Sequence, residues 1–532
     1  MIPVRVCKGM IEINLPAFVT LFMKYIVTAG IIYLSFNPRK TCRAIGIEDG
    51  IILATGNLDA VKERMGGGTM VNEYPDLVIM PGFVDAHMHL DDFGKYLSII
   101  DLRGTASIEE MKSKISDPVN ASGWILGHGW DQDRFSEKRW PTRDDLDSVQ
   151  NSRPIFLSRV DLHSAVMNSA ALEEMGIEEK FSDDADLVRD SHGRVTGIVR
   201  EKVFGYADDW IKDHTPDNRW EEMLDNAQSE ANRLGVTSVG FMSCSTKMYS
   251  NLQSLEQKKG LSLRIHAYIS SDEFAELEYS GGDEFLRITG VKAFSDGSLG
   301  SRTALLSFPY LDDTDSHGQV RESSDSIYRN GRLAESRGMD IGTHAIGDLA
   351  LDNVLSVYER LGQNHRIEHA SLVRKDQLPK IRKCNTILAI QPHFIITDFW
   401  TLDRIGDENS GMAYPFNTMI RQGIRIAMST DCPVENLNPW ETVYAAVTRG
   451  FYERIPLGLV SRGECISTRQ ALAAYTQGSA AALRNPKIGS LVEGSLADFI
   501  MLDRDPLTVP ENDLHHIMVK GTWVNGEMVW PL

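Results

Sequence analysis

Apolar residues recur along this chain in two alternating patterns. Short runs rich in Val, Ile, Leu and Ala predict strands at 77–87, 236–241, 264–269, 290–294, 340–344, 365–369, 386–391 and 425–429. Apolar positions three and four apart predict amphipathic helices between most of them, clearest at 221–234, 324–336, 350–361 and 468–483. Strand–helix alternation of this kind builds parallel sheets, and eight strands are enough to close a (β/α)8 TIM-like barrel.

The two ends of the chain read differently. Residues 44–53 predict a hairpin turning at Asp49-Gly50, residues 496–502 a strand, and residues 522–529 a hairpin turning at Asn525-Gly526. Neither end has enough strand to bury its own face. The economical arrangement is a small β-sandwich domain built from both ends, 23–80 plus 485–532. The barrel then takes 81–100 plus 201–484. About 150 residues separate its first two strands, too many for a structureless loop, so 101–200 is expected to be an αβ insertion over the barrel mouth. Residues 1–22 stand apart. Their apolar stretch follows Glu12 and lacks a small-residue cleavage site, which predicts a start-site extension or loose arm rather than a signal peptide.

Composition narrows the function classes. A net charge of -19 over 532 residues disfavours nucleic acid as a partner. No apolar run reaches the ~18 residues that a membrane span needs. The six cysteines are scattered and form no CxxC, which suits a reducing, cytoplasmic setting. The expected partner is a small-molecule substrate, and a homo-oligomer is compatible with the sequence.

Functional groups of such barrels sit where strands end. His87 and His89 end the first predicted strand two positions apart, on one face and roughly 6.6 Å apart along the chain. His344 ends the fifth and His369 the sixth, and Asp431 follows the eighth. Each alone also fits a blander role: a hydrogen-bonded core histidine, or an Asx turn before Pro433. Four histidines ending three strands, with an acid nearby, suit one or two divalent metal ions, zinc before others. Lys292 lies inside an apolar strand, where its charge is costly. It either snorkels to a partner such as Asp296 or stays neutral and captures carbon dioxide as a carbamate.

The set His87-x-His89, Lys292, His344, His369 and Asp431, in that order, resembles the amidohydrolase superfamily. Longer phrases narrow the resemblance. They are Asp161-Leu162-His163-Ser164-Ala165-Val166-Met167-Asn168, Gly197-Ile198-Val199-Arg200-Glu201, Lys292-Ala293-Phe294-Ser295-Asp296-Gly297-Ser298 and His344-Ala345-Ile346-Gly347-Asp348. All are similar to the branch of N-substituted formamide deformylase-like metal-dependent hydrolases. The resemblance implies that His87, His89 and Asp431 hold one metal and His344 and His369 another. It also implies that carboxylated Lys292 bridges them and that Asp431 shuttles a proton during hydrolysis of a non-peptide C–N bond.

Substrate-binding candidates are His163, Glu201, Arg302, His393 and Trp130. Arg302 could equally pair with an acid, and Trp130 could simply be core. Two other readings remain open. A mononuclear deaminase of a nitrogenous ring would want a Glu near the fifth-strand histidine, where Ala345-Ile346-Gly347-Asp348 offers none. A non-catalytic barrel scaffold would be expected to have lost ligands.

Overall fold

Eight parallel strands, labelled β1 to β8, follow one another in a single sheet. They are β1 Phe83–Met88, β2 Val236–Cys244, β3 Arg264–Ser270, β4 Leu286–Phe294, β5 Asp340–Ala345, β6 Arg366–His369, β7 Ile387–Ile390 and β8 Arg425–Met428. The computed structural model describes residues 24–116, 123–132, 134–160, 164–277, 281–362 and 364–531. The arm expected at 1–22 and the candidate His163 lie outside these residues.

Every residue of β1 is buried, as parallel strands covered on both faces require. Helix Asp217–Arg233 covers β2 with Trp220, Met223, Leu224, Ala227 and Ala231, which fall on one face by their three- and four-residue spacing. Strands β1 and β8 are not joined by a ladder. Their exits are joined instead: Asp431 N–H donates to His87 O (2.8 Å), and His89 N–H donates to Cys432 O (2.8 Å). Below that seam Asp85 accepts from the Thr430 hydroxyl (2.8 Å) and amide (3.1 Å) and from the Tyr475 hydroxyl (2.9 Å). The barrel is thus closed by the segments that carry three of the candidate ligands.

A second sheet takes strands from both chain ends, in the order Glu527–Trp530, Val519–Val524, Phe499–Leu502, Met70–Pro81, Lys24–Phe36, Arg39–Glu48 and Ile51–Gly56. Both expected hairpin turns form. Asp49-Gly50 and Asn525-Gly526 hold positive φ at both central positions, which these residues tolerate. A third sheet, from Ile100–Asp101 to Val195–Arg200, lies between β1 and β2 in sequence. Among the described residues, no helix is long and apolar enough to cross a membrane.

Two expectations need correction. The run 77–87 is not one strand. Met70–Pro81 belongs to the second sheet and Phe83–Met88 to the barrel. The backbone changes partner at Gly82, whose N–H reaches Asp498 O (3.0 Å) while Phe83 N–H reaches Gly235 O (3.0 Å). A Cβ at Gly82 would lie 2.3 Å from the Thr237 side chain, so the crossing needs glycine. The helix expected at 468–483 is interrupted by a π-helical turn, Ala474–Gly478. That turn lies where the Tyr475 hydroxyl meets Asp85 and the Ser479 hydroxyl meets Met428 O (2.8 Å), so barrel contacts win over regular helix.

Candidate metal centre

The exits of β1, β4, β5, β6 and β8 bring the six candidate ligands to one end of the barrel. Ligand atoms of His87, His89 and Asp431 lie within 4.8 Å of one another. Asp431 Oδ1 is 3.1 Å from His87 Nε2 and 3.2 Å from His89 Nε2, yet among the described residues it accepts no hydrogen bond. Lys292 Nζ is 3.4 Å from His87 Nε2. The His369 ring stands 5.1 Å from that of His87 and 4.4 Å from that of His344.

Hydrogen bonds on the far side of each ring fix where its lone pair lies. His87 Nδ1 meets Glu368 Oε2 at 2.7 Å, so Nδ1 carries the proton and Nε2 the lone pair. His344 Nε2 meets Gly297 O at 2.9 Å, and a carbonyl can only accept, so the lone pair is on Nδ1. His369 Nδ1 meets Gln391 Oε1 at 2.9 Å. The amide of Gln391 cannot be reversed, because its nitrogen already donates to Ala389 O (3.1 Å). His369 therefore keeps its lone pair on Nε2. Fixing the tautomer from behind is what a metal-ligating imidazole needs.

Electrostatics agree with this arrangement. Burial, then the Lys292 charge, pushes His344 down to about 3. Burial, then His344, holds His369 well below the ordinary imidazole range, so both rings are neutral. For Asp431 burial acts upward, but the neighbouring imidazoles outweigh it and the carboxylate stays ionised. Burial lowers Lys292 to about 8, with Glu368 and Asp431 opposing the shift. Neutral His344 and His369 rings, the Nε2 lone pair of His87, the Asp431 carboxylate and a buried amine form a donor set that fits a divalent cation, while at His89 burial acts downward and Asp431 outweighs it, drawing the pKa up.

Two ligands sit on unusual backbone. His369 (φ 72°) and Asp431 (φ 61°) are both left-handed, a region that non-glycine residues enter at a cost. The turn each makes at its strand exit aims the side chain back over the barrel end.

The supporting candidates have different surroundings. Trp130 is fully buried, its indole N–H on Leu157 O (2.8 Å) and its ring packed against Phe135 and Trp140. It is core of the third sheet and does not line a pocket. Arg302 pairs with Asp312 through Nε (3.2 Å) and Nη2 (2.8 Å), which is the acid-pairing alternative. Glu201 is exposed at the start of helix Glu201–His214. His393 pairs with Glu435. Sequence reasoning missed Glu368, Gln391 and Asp85. Alternation did hold a signal for the first, since Arg366 and Glu368 are charged residues on one face of a buried strand.

A parallel barrel with imidazole and carboxylate ligands converging at its strand exits defines a metal-dependent hydrolase. The chain belongs to the amidohydrolase family, whose model matches residues 76–530. It is 30% identical over 534 residues to the putative amidohydrolase YtcJ of Bacillus subtilis (strain 168), a match covering 96% of this chain and 99% of that protein. It is 23% identical over 526 residues to the N-substituted formamide deformylase of Arthrobacter pascens, covering 92% of this chain and 95% of that one. Among solved structures, an uncharacterised metal-dependent hydrolase from Pyrococcus horikoshii OT3 superposes with a TM-score of 0.84 at 36% identity, covering 92% of this chain and 99% of the other.

Proposed function

We propose that this chain hydrolyses an amide-type C–N bond outside the peptide class. The observation that carries the reading is the buried Asp431 oxygen, which faces two imidazole nitrogens at 3.1 and 3.2 Å and accepts no hydrogen bond among the described residues. His87, His89 and Asp431 would hold one cation, and His344 and His369 a second. Zinc suits this nitrogen-rich set best.

When bound, such a cation lowers the pKa of water from 15.7 to roughly 7 and polarises a carbonyl oxygen. Asp431 takes the proton of the attacking water and returns it to the departing nitrogen. Lys292, lowered to about 8, is neutral in roughly one chain in ten at pH 7 and in about half at pH 8. Its nitrogen would bond to carbon dioxide with loss of a proton, giving an anionic carbamate that could serve as a further cation ligand. His89 keeps 22% of its side-chain surface open, so substrate would enter on that side. The similarity to N-substituted formamide deformylase makes N-formyl amines the first compounds to try. The cysteines among the described residues are scattered and unpaired, which fits a cytoplasmic location.

The test is metal analysis joined to a hydrolysis screen. Zinc-supplemented protein should contain one or two zinc ions per chain. It should release amine from members of a panel of N-formyl amines, N-acyl amino acids and lactams, and chelation should abolish the release. A zinc-loaded protein that cleaves only esters, or nothing in that panel, would overturn the reading.

A further inference from the structure

His393, a substrate-binding candidate of the sequence, forms with Glu435 a second polar pair just past the exits of β7 and β8. His393 lies two residues past Gln391, which anchors His369. Glu435 lies four residues past Asp431, across a turn closed by Val434 N–H on Asp431 O (2.9 Å). Each member is therefore tethered by a short stretch of chain to a residue that shapes the centre. His393 Nδ1 donates to Glu435 Oε2, and the Thr397 hydroxyl donates to Oε1, so both carboxylate oxygens are engaged. The Glu435 side chain is only 5% exposed, and its position fixes the imidazole ring.

The other ring nitrogen is the informative one. His393 Nε2 has no protein hydrogen-bond partner among the described residues, although the side chain keeps 16% of its surface open. Burying a carboxylate is costly and is recovered through a well-oriented partner. Here the partner is a ring with one nitrogen held and the other open at the barrel mouth. The same division of labour orients catalytic histidines on unrelated folds.

We propose that His393 is a further catalytic residue: its Nε2–H donates a hydrogen bond to the substrate's amide carbonyl oxygen as that oxygen gains charge, and Glu435 positions it. The proposal rests on the amide-hydrolase reading above. A neutral acyl group suits the pair better than a carboxylate. Imidazolium and carboxylate cancel, Glu441 and Glu453 add negative charge around them, and burial, then Glu435, pushes Asp398 up to about 7. Burial acts to lower the His393 pKa, but Glu435 outweighs it, so the ring keeps both protons above its ordinary titration range.

Acetohydroxamate provides a test without turnover, since it chelates metal and presents a carbonyl-type oxygen. Calorimetric titration of the zinc-loaded full chain should show His393→Ala binding it about 10- to 100-fold more weakly than wild type, the scale of one charge-assisted hydrogen bond, at unchanged zinc content. Equal affinity at equal zinc content would overturn the proposal. Glu435→Gln should make the loss of affinity with rising pH begin at lower pH, because the imidazole loses its stabilising charge. A uniform loss at every pH would mean that Glu435 is merely structural and would overturn its assigned role. A second measurement does not depend on the variants folding. Diethyl pyrocarbonate acylates only neutral imidazole, so in the native protein it should spare His393 near the ordinary imidazole range of about 6.5 and label its open Nε2 as the pH rises above that range, whereas labelling already complete at lower pH would also sink the proposal. Failure of the amide-hydrolase reading looks different: the protein would bind acetohydroxamate through His393 and cleave no amide in the panel.

Discussion

Glu368 on β6 lies 2.7 Å from His87 Nδ1 on β1, although the two strands are not neighbours in the barrel sheet. The carboxylate is held in turn by Arg366, through Nε to Oε1 (2.6 Å) and Nη2 to Oε2 (2.9 Å). Arg366 Nη2 also donates to Ala86 O (2.8 Å), the carbonyl just before His87. One buried ion pair therefore orients both the ring and the backbone of a metal ligand. Burial alone would raise the Glu368 pKa, but Arg366 and His87 outweigh it and hold the group well below the carboxylate range.

Replacing Glu368 by Gln should be costly twice over. It leaves the buried Arg366 charge without its anionic partner, a loss of about 3–5 kcal/mol in the metal-free protein. It also loosens His87, which should weaken zinc binding by about 10- to 100-fold. Denaturant unfolding in chelator and competition against a zinc indicator measure the two effects. The pH dependence has a definite sign. Because the folded pKa is depressed, the contribution of Glu368 is complete at neutral pH and is lost as acid carries the pH below the ordinary carboxylate range of about 4.3. Wild-type zinc affinity in Glu368→Gln would show that the contact does not orient His87.

Lys292 predicts the opposite slope. Its folded pKa of about 8 lies below the ordinary 10.5, so between those values the folded chain holds fewer protons than the unfolded one. Stability of the metal-free protein should therefore rise with pH across that window, by up to roughly 3 kcal/mol at 1.36 kcal/mol per unit. Lys292→Met should lack this rise when both proteins are unfolded in chelator and carbon-dioxide-free buffer. Parallel curves would place the amine in water rather than in the barrel. In the loaded enzyme Lys292→Ala should lose activity and regain part of it with a short carboxylic acid. Full activity without the acid would exclude a bridging lysine.

The strand exits were legible because an apolar run that stops abruptly at His87, His344 or His369 is a local signal. The groups behind those ligands were not, because their meaning depends on closure of the barrel. Glu368 reaches a ring 281 positions away, and Asp85 reaches Thr430 across 345. Alternation could mark Arg366 and Glu368 as a buried charged pair, but not name the histidine they serve. The run 77–87 failed for a similar reason. Its hydropathy is continuous, while the change of sheet at Gly82 is decided by Asp498 and Thr237, both distant in sequence.

The C-terminal return of the chain offers a test away from the metal centre. Arg264 on β3 meets Asp498 through Nε (2.6 Å) and Nη2 (3.0 Å), with both side chains almost fully buried. Asp498 also accepts from Asn525 N–H (2.8 Å), so it ties the barrel to the second sheet. Asp498→Asn should cost about 3–5 kcal/mol on unfolding while zinc affinity of the folded protein stays unchanged. A loss below about 1 kcal/mol, the range of exposed pairs, would mean that solvent reaches the site.

Gly240 links packing to the metal centre most directly. It lies on β2, and a Cβ there would stand 2.2 Å from Ala86 O and 2.8 Å from the Leu483 side chain. The nearer obstacle is backbone and cannot rotate away. Gly240→Ala should therefore push β1 aside, lowering stability by about 1–3 kcal/mol and weakening zinc binding through His87. Gly205 is the matched control. It sits within helix Glu201–His214 with no atom inside 4 Å of a built Cβ, so Gly205→Ala should stabilise by about 0.4–1 kcal/mol and leave zinc affinity alone. If Gly240→Ala loses stability but binds zinc as wild type does, the β1–β2 contact supports the barrel without setting the position of His87, and the ring is placed by Glu368 and the seam to Asp431 alone.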